Sequence, residues 1–92
     1  MVFVYRVHAI ERMFQRDVSE EDVEYIVKLG ETIESYLDDQ PYPSCLVLGY
    51  VDMRPLHVVY AKDENNTAIV ITVYEPTPDK WSDDFKTRRK QK

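Results

Sequence analysis

The sequence predicts an α+β fold, in which two N-terminal helices pack on a four-stranded antiparallel meander, with an extra N-terminal strand as an open alternative. Apolar residues recur with helical spacing up to about residue 30, and from residue 31 they alternate with a period of two. Short polar turns join the alternating segments, which is typical of strands that follow one another in a meander. The 92 residues are expected to form one domain, residues 1–92, with a basic tail from about residue 86.

The chain begins with a β-branched and aromatic stretch, residues 2–7, which predicts a short strand or an extended lead-in. The first helix is predicted over roughly residues 8–15. Its apolar side is expected to consist of Ile10, Met13 and Phe14.

The first helix also carries a cationic stripe. His8, Arg12 and Arg16 are four residues apart, so they lie one above another on the same helix face. Three such groups in a row oppose helix stability slightly unless a partner meets them. That partner is either RNA phosphate or an acidic protein segment, and the stripe alone does not decide between the two.

The second helix has a complete start signal. Ser19 is the expected N-cap, Asp22 follows at the third helical position, and Val18 and Val23 are placed to form a hydrophobic staple. Gly30 is the expected C-cap. Much of the acidic residue content in this region therefore has a structural explanation, since acidic groups in the first turn suit the helix dipole.

Four strands are predicted after the helices, over residues 31–38, 44–52, 54–62 and 66–74. The turns "DM" at 52–53 and "DENN" at 63–66 are expected to form tight hairpins. If the strands pair from the residues that flank these turns, Leu48 lies beside His57, and His57 lies opposite Thr72. Tyr74 then shares that sheet face, so the sequence groups an imidazole and two hydroxyls on an apolar surface.

The charge is distributed unevenly along the chain. The formal net charge is −5, yet both ends are basic and the middle is acidic. The acidic middle consists of Asp17, Glu20, Glu21, Asp22, Glu24, Glu31, Glu34, Asp38 and Asp39, opposed by Lys28. This polarity leaves room for a local basic surface that binds nucleic acid; the alternative is a solvated acidic helix and a frayed basic tail.

Several classes of site are not indicated. With only two glycines, the chain has no glycine-rich nucleotide-binding motif. Cys45 is the single cysteine and the two histidines are far apart, so neither a disulfide framework, a metal site nor a cofactor is predicted. The chain contains no signal-like segment and no long apolar run, which favours a cytoplasmic protein that does not engage a membrane.

The remaining chemistry-bearing residues are cations and hydroxyls, an inventory that suits metal-independent cleavage of RNA. Such cleavage needs a base for the ribose 2′-hydroxyl, an acid for the leaving oxygen and a cation for the phosphate. Histidine suits the proton transfers and arginine suits the phosphate contacts. The predicted catalytic residues are His57, Tyr74, His8 and Arg54, and the predicted RNA-phosphate ligands are Arg12, Arg16 and Arg88.

Each of these residues also has a structural explanation. His57 could be a half-buried histidine bonded to Thr72, and the arginines could pair with neighbouring acids at little energetic gain. Trp81 and Phe85 are four residues apart after two prolines, a pattern that favours folding of the tail back onto the sheet.

The segments "HAIERMFQRDVS", "GETIESYLDDQPYPSCLVLGY", "RPLHVV" and "ITVYEPTPDKW" together resemble the domain-of-unknown-function 4258 family. The resemblance extends from His8 to about Arg88. The positions that match the family pattern are His8, Arg12, Arg16, Glu34, Tyr36, Arg54, His57, Thr72, Tyr74 and Trp81. This family is thought to be related to the RelE/ParE-like toxins, which have two helices against an antiparallel sheet.

The resemblance implies a function and partners. It implies the toxin of a type II toxin–antitoxin pair, an endoribonuclease acting on RNA, with an antitoxin of the zinc-ribbon or helix-turn-helix type as its protein partner. RelE-type toxins are usually basic overall, and this chain is not. The alternative is a non-catalytic protein-interaction domain on the same scaffold, and the sequence is also compatible with a homodimer.

Overall fold

The structure is a computed structural model that describes residues 1–90; Gln91 and Lys92, the end of the predicted basic tail, lie outside the described residues. Residues 1–90 form two helices and five strands, so the fold is α+β. In chain order they are β1 (Val2–Tyr5), α1 (Val7–Arg16), α2 (Glu20–Leu29), β2 (Glu31–Tyr36), β3 (Ser44–Val51), β4 (Arg54–Lys62) and β5 (Thr67–Tyr74).

The predicted four-stranded antiparallel meander is wrong, because the sheet has five strands and is mixed. Its strand order is β1-β5-β4-β3-β2, and β1 runs parallel to β5 while the other neighbours are antiparallel. The first strand pairs with the last one across the whole chain. Such a long-range pairing leaves no trace in local periodicity, whereas the pairing of consecutive strands is signalled by the turns between them.

The hairpin register agrees with the sequence prediction at one turn and departs from it at the other. Leu48 lies opposite His57, as the short turn at 52–53 predicts. Across the next hairpin, however, His57 lies opposite Tyr74, and Thr72 lies opposite Val59. Two one-residue shifts add up to this difference: the pairing starts with Lys62 opposite Ala68, one residue later than the turn predicts, and a β-bulge between Val59 and Tyr60 adds the second. The predicted shared face of His57 and Tyr74 is confirmed.

The helices confirm most of the predicted end signals. Ser19 caps α2 by accepting a hydrogen bond from the Asp22 amide at 3.0 Å, and the Asp22 carboxylate accepts one from the Ser19 amide at 3.1 Å. Gly30 follows the helix in an extended conformation, with its amide bonded to the Ile26 carbonyl. A Cβ at Gly30 would lie 2.5 Å from that carbonyl and 2.6 Å from the Leu48 carbonyl, so the glycine lets the helix end lie against the sheet.

The apolar side of α1 differs from the prediction. Ala9 and Met13 are buried, but Ile10 is 53% exposed and Phe14 is 89% exposed. The helix packs mainly on β5, along the part of that strand that β1 does not cover. Because a helix at a sheet edge buries only a narrow stripe, two of the three predicted apolar residues face away from the core.

Both faces of the sheet are covered. The helices cover one face, and their contact with it forms the main core, made of Ala9, Met13, Val18, Val23, Ile26, Val47, Leu56, Val58, Val70 and Val73. On the other face, the segment after β5 folds back so that Trp81 is buried and Phe85 is partly buried. The prediction that these two residues fold the tail onto the sheet is confirmed. Neither described helix is long and apolar enough to cross a bilayer.

Candidate functional site

His57 lies on the sheet face that the C-terminal segment covers, and it is fully buried. Its Nε2 is 2.8 Å from the Phe85 carbonyl oxygen, and its Nδ1 is 3.1 Å from the Tyr74 hydroxyl. A carbonyl only accepts, so Nε2 carries the proton and Nδ1 accepts from Tyr74. Both ring nitrogens of the neutral imidazole are therefore satisfied, and substrate reaches neither of them directly.

The surroundings of His57 keep the ring neutral. Burial lowers the pKa of His57 below its ordinary value of 6.5, although the Phe85 carbonyl works in the opposite direction. The Trp81 ring stands edge-on to the imidazole, with 4.4 Å between the ring centroids. Burial likewise raises the pKa of Tyr74, so its hydroxyl keeps its proton at neutral pH. Tyr74 and His57 thus form a pair in which the Tyr74 hydroxyl donates its hydrogen bond to the buried imidazole.

A groove of about 420 Å³ lies on the solvent side of Tyr74, between α1 and the C-terminal segment. It brings together two arginines of α1 with two cations from the tail, and these four are Arg12, Arg16, Lys80 and Arg88. Thr72 and Tyr74 contribute hydroxyls, and Glu75 contributes a carboxylate. The sequence predicted three of the four cations, and it missed Lys80 because a lone lysine between prolines and an aromatic residue carries no distinctive signal.

Arg88 is held in place by groups from two sides. Its Nε is 3.3 Å from a Glu34 carboxylate oxygen, and its guanidinium lies over the Trp81 ring with 4.6 Å to the centroid. Tyr36 donates a hydrogen bond to the same Glu34 side chain. Glu34 neutralises part of the charge of Arg88, so the less compensated cations of the groove are Arg12, Arg16 and Lys80.

Two predicted catalytic residues lie away from the Tyr74 hydroxyl. Arg54 donates to the Arg16 carbonyl at 2.6 Å and to the Asp17 carbonyl at 3.0 Å, so it caps the end of α1. His8 is exposed in the first turn of α1 and does not line the groove. The structure therefore brings His57 and Tyr74 together and leaves His8 and Arg54 outside the site.

A larger cavity, of about 790 Å³, lies near the end of α1. Its lining includes the carboxylates of Asp17, Asp22 and Asp52, and its one cation, Arg54, is engaged by backbone carbonyls. This lining does not suit a phosphate. Within residues 1–90, no three His, Cys, Asp or Glu side chains group closely enough to hold a metal ion.

Comparison with protein families settles the relationship of this chain. Residues 5–75 match the model of the domain of unknown function DUF4258. The chain belongs to this family. Among curated proteins and among solved structures, none matches the chain.

The DUF4258 match covers part of the site and leaves part of it out. Arg12, Arg16, His57 and Tyr74 fall within the matched residues, whereas the cover of His57 and the remaining two groove cations come from the segment after residue 75. The helix side of the groove thus belongs to the family domain, and the C-terminal segment adds the other side.

Proposed function

We propose that this chain is the toxin-like member of a type II toxin–antitoxin pair, related to the RelE/ParE-like toxins, and that it acts on RNA as an endoribonuclease. One observation carries the proposal. Arg12, Arg16, Lys80 and Arg88 converge on one groove beside the Tyr74 hydroxyl, in a chain whose net charge is −5. Cations gathered at one place against the overall charge suit the phosphates of a nucleic acid backbone.

The chemistry proposed for cleavage needs only side chains. Arg12 and Arg16 bind the phosphate and stabilise the charge that develops on it. Tyr74 takes the proton of the ribose 2′-hydroxyl as it passes its own proton to His57 Nδ1. The 2′-oxygen attacks phosphorus, the bond to the 5′-oxygen breaks, and the leaving oxygen takes a proton back through Tyr74.

His57 acts through Tyr74 in this scheme and does not touch the RNA. Burial disfavours the imidazolium that forms during the proton transfer, while the Phe85 carbonyl at 2.8 Å from Nε2 favours it. We therefore expect slow cleavage, with the binding of RNA as the stronger property.

An antitoxin is the proposed protein partner, and covering the cationic groove would be its means of control. Charge reversal at both Arg12 and Arg16 should then weaken the complex, because an acidic segment of the antitoxin would lose its cations. A complex that is unchanged by this double reversal would place the antitoxin elsewhere.

A second candidate function is a non-catalytic interaction domain. It is favoured by the complete burial of His57 and by the exposure of Ile10 and Phe14 on α1. Exposed large apolar residues at helical spacing are typical of a surface that meets another protein.

The deciding experiment measures RNA binding and RNA cleavage in the same variants. Arg12→Ala should weaken binding of single-stranded RNA and lower the slope of log K against log salt by about 0.7, because one phosphate contact is lost. Lys62→Ala is the matched control, since Lys62 lies at the end of β4 far along the strand from His57. If Arg12→Ala and Lys62→Ala lose the same amount of RNA affinity, the groove does not bind RNA.

Tyr74→Phe tests cleavage separately from binding. It should keep RNA affinity and lower the cleavage rate by about 10²- to 10⁴-fold, as is typical when a proton-transferring group is removed. If the wild-type protein binds RNA through Arg12 and leaves it intact, the endoribonuclease proposal fails and RNA binding stands. If it neither binds nor cleaves RNA, the interaction domain is the function that remains.

A further inference from the structure

We propose that the outer edge of β1 is the two-fold interface of a homodimer, in which β1 pairs antiparallel with β1 of a second copy of this chain. The proposal does not depend on the RNA-binding groove. It rests on four features of β1 and its surroundings: an unprotected edge, outward-facing backbone groups, complementary charges above the strand, and a neighbouring apolar helix flank.

The two edges of the sheet differ in how they are protected. No described strand pairs with the outer side of β1, whose Val2 is 64% exposed and whose Val4 is 49% exposed. The strand Val2–Tyr5 contains neither a charge nor a proline. An edge of this kind is open to pairing with another strand, and protein sheets ordinarily block such edges.

The opposite edge, β2, carries the protection that β1 lacks. It has a register shift between Thr32 and Glu34, and its two glutamates bind cations of the C-terminal segment. Bulges and charges are the devices by which edge strands avoid pairing. The contrast singles out β1 as the edge at which the sheet can be extended.

The direction of the backbone groups on β1 follows from one hydrogen bond. The Arg6 amide donates to the Val70 carbonyl of β5 at 3.1 Å. Because a strand alternates with a period of two, the amides and carbonyls of Val2 and Val4 also point toward β5. Those of Phe3 and Tyr5 therefore point outward, free to pair with a second copy.

The two-fold axis fixes which residues meet. Residues directly opposite each other in an antiparallel pair share a sheet face, and Phe3 and Tyr5 both lie on the helix face. When Phe3 lies opposite Tyr5 of the second copy, the outward amides and carbonyls of both residues form hydrogen bonds between the two strands. This register forms two symmetrical aromatic cross-strand pairs, with Val4 opposite Val4 of the second copy on the other face.

Charges above the strand are complementary in this register. Lys28 of α2 lies over the Phe3 ring with 5.9 Å between Nζ and the centroid, and Glu24 accepts a hydrogen bond from the Tyr5 hydroxyl at 3.3 Å. When Phe3 meets Tyr5 of the second copy, Lys28 therefore comes near Glu24 of that copy, and the symmetry repeats the pair. The same chain supplies both members, which favours a second copy over an unrelated strand.

The exposed flank of α1 adds apolar area next to this edge. Ile10 and Phe14 border a groove of about 460 Å³ that also includes Tyr5 of β1. Val7, one turn earlier, is 72% exposed. A four-residue strand pair alone buries little surface, so an interface of ordinary size needs this neighbouring flank.

The test is the oligomeric state in solution. Sedimentation equilibrium from micromolar to millimolar concentration should show a monomer–dimer equilibrium for the full chain. Val4→Lys should shift it toward monomer by at least about tenfold in Kd, because like charges directly opposite each other are unfavourable. Leu37→Lys is the control: it introduces the same charge at an exposed apolar residue just after β2, and it should leave the dimer unchanged.

A second test exchanges the charges of Lys28 and Glu24 on α2 and leaves the sequence of β1 unchanged. Lys28→Glu and Glu24→Lys should each weaken the dimer, and the double variant should restore it, because the pair is re-formed with opposite signs. A monomer throughout the concentration range overturns the proposal. So does a dimer that Val4→Lys and both single charge variants leave unaffected, since the interface then lies elsewhere.

Discussion

His57 shows how much the environment of one residue decides. From the sequence, the same histidine could be a catalyst facing a groove or a satisfied residue of the sheet, and Thr72 was the expected partner in the second case. The structure makes Tyr74 its partner and the Phe85 carbonyl its second one. A His57→Ala variant would therefore lose packing and two hydrogen bonds, so loss of activity alone would not prove a catalytic role.

The buried imidazole should leave a signature in the pH dependence of stability. The folded pKa of His57 lies below the ordinary 6.5, so the unfolded chain binds more protons than the folded one as the pH falls below that value. The free energy of unfolding should therefore decrease between neutral pH and about pH 5. Urea titrations across this range should show a weaker pH dependence for His57→Gln than for wild type.

The matched control for this measurement is Tyr74→Phe. It removes the hydrogen bond to Nδ1 and leaves the imidazole buried, so the pH dependence should persist while the overall stability falls. If His57→Gln has the same pH dependence as wild type, the imidazole does not titrate differently in the folded and unfolded states.

At the scale of secondary structure, α1 is an element whose end is set by a distant residue. The helix terminates with Asp17 in the left-handed conformation at φ 54°, and Arg54 of β4 binds the last two carbonyls. A guanidinium at a helix C-terminus satisfies free carbonyls and opposes the negative end of the dipole. In the structure, Arg54 docks the helix that carries Arg12 and Arg16, and its catalytic role stays a prediction.

Arg54 and Arg12 were both predicted to act at the site, and we expect their alanine variants to differ in stability and in RNA affinity. Arg54→Ala should lower the free energy of unfolding by about 1–2 kcal/mol, because two carbonyls lose their donor. Arg12→Ala should change stability by less than about 0.5 kcal/mol, as is usual for surface substitutions, and should weaken RNA binding. Urea denaturation and RNA titration of both variants would check this, and an Arg54→Ala protein of unchanged stability would contradict the capping role.

At the scale of the whole molecule, the C-terminal segment completes both the fold and the candidate site. Trp81 is 3% exposed and lies between His57 and Arg88, while Lys86 and Arg88 bind Glu31 and Glu34 of β2. This segment lies beyond the family match at residues 5–75. The segment from Trp81 to Arg88 therefore covers the outer face of the sheet.

Trp81 is the only tryptophan of the chain, so its fluorescence reports on this cover. We expect the denaturant midpoint measured by Trp81 emission to coincide with the midpoint measured by far-ultraviolet circular dichroism, because the segment shares the core with the sheet. An emission change at lower denaturant, before the loss of secondary structure, would mean that the segment detaches independently and exposes His57.

The sequence by itself determined the local elements of this protein. Ser19 and Asp22 signalled the start of α2, and the turn at 52–53 fixed the pairing of Leu48 with His57. These outcomes depend on neighbours within a few residues or across one tight turn. Local propensity and period are sufficient to predict them.

Only the tertiary structure decided how distant segments meet. The pairing of β1 with β5, the Arg54 cap on α1 and the closure of Phe85 over His57 join residues far apart in the chain. The later start of the β4–β5 pairing and the bulge beside Val59 together changed the partner of His57, and the position of α1 at the sheet edge exposed Phe14. These long-range contacts depend on the packing of the whole chain, which must bury apolar side chains and pair buried polar groups at the same time. The local sequence around one residue does not specify which distant residue it will contact.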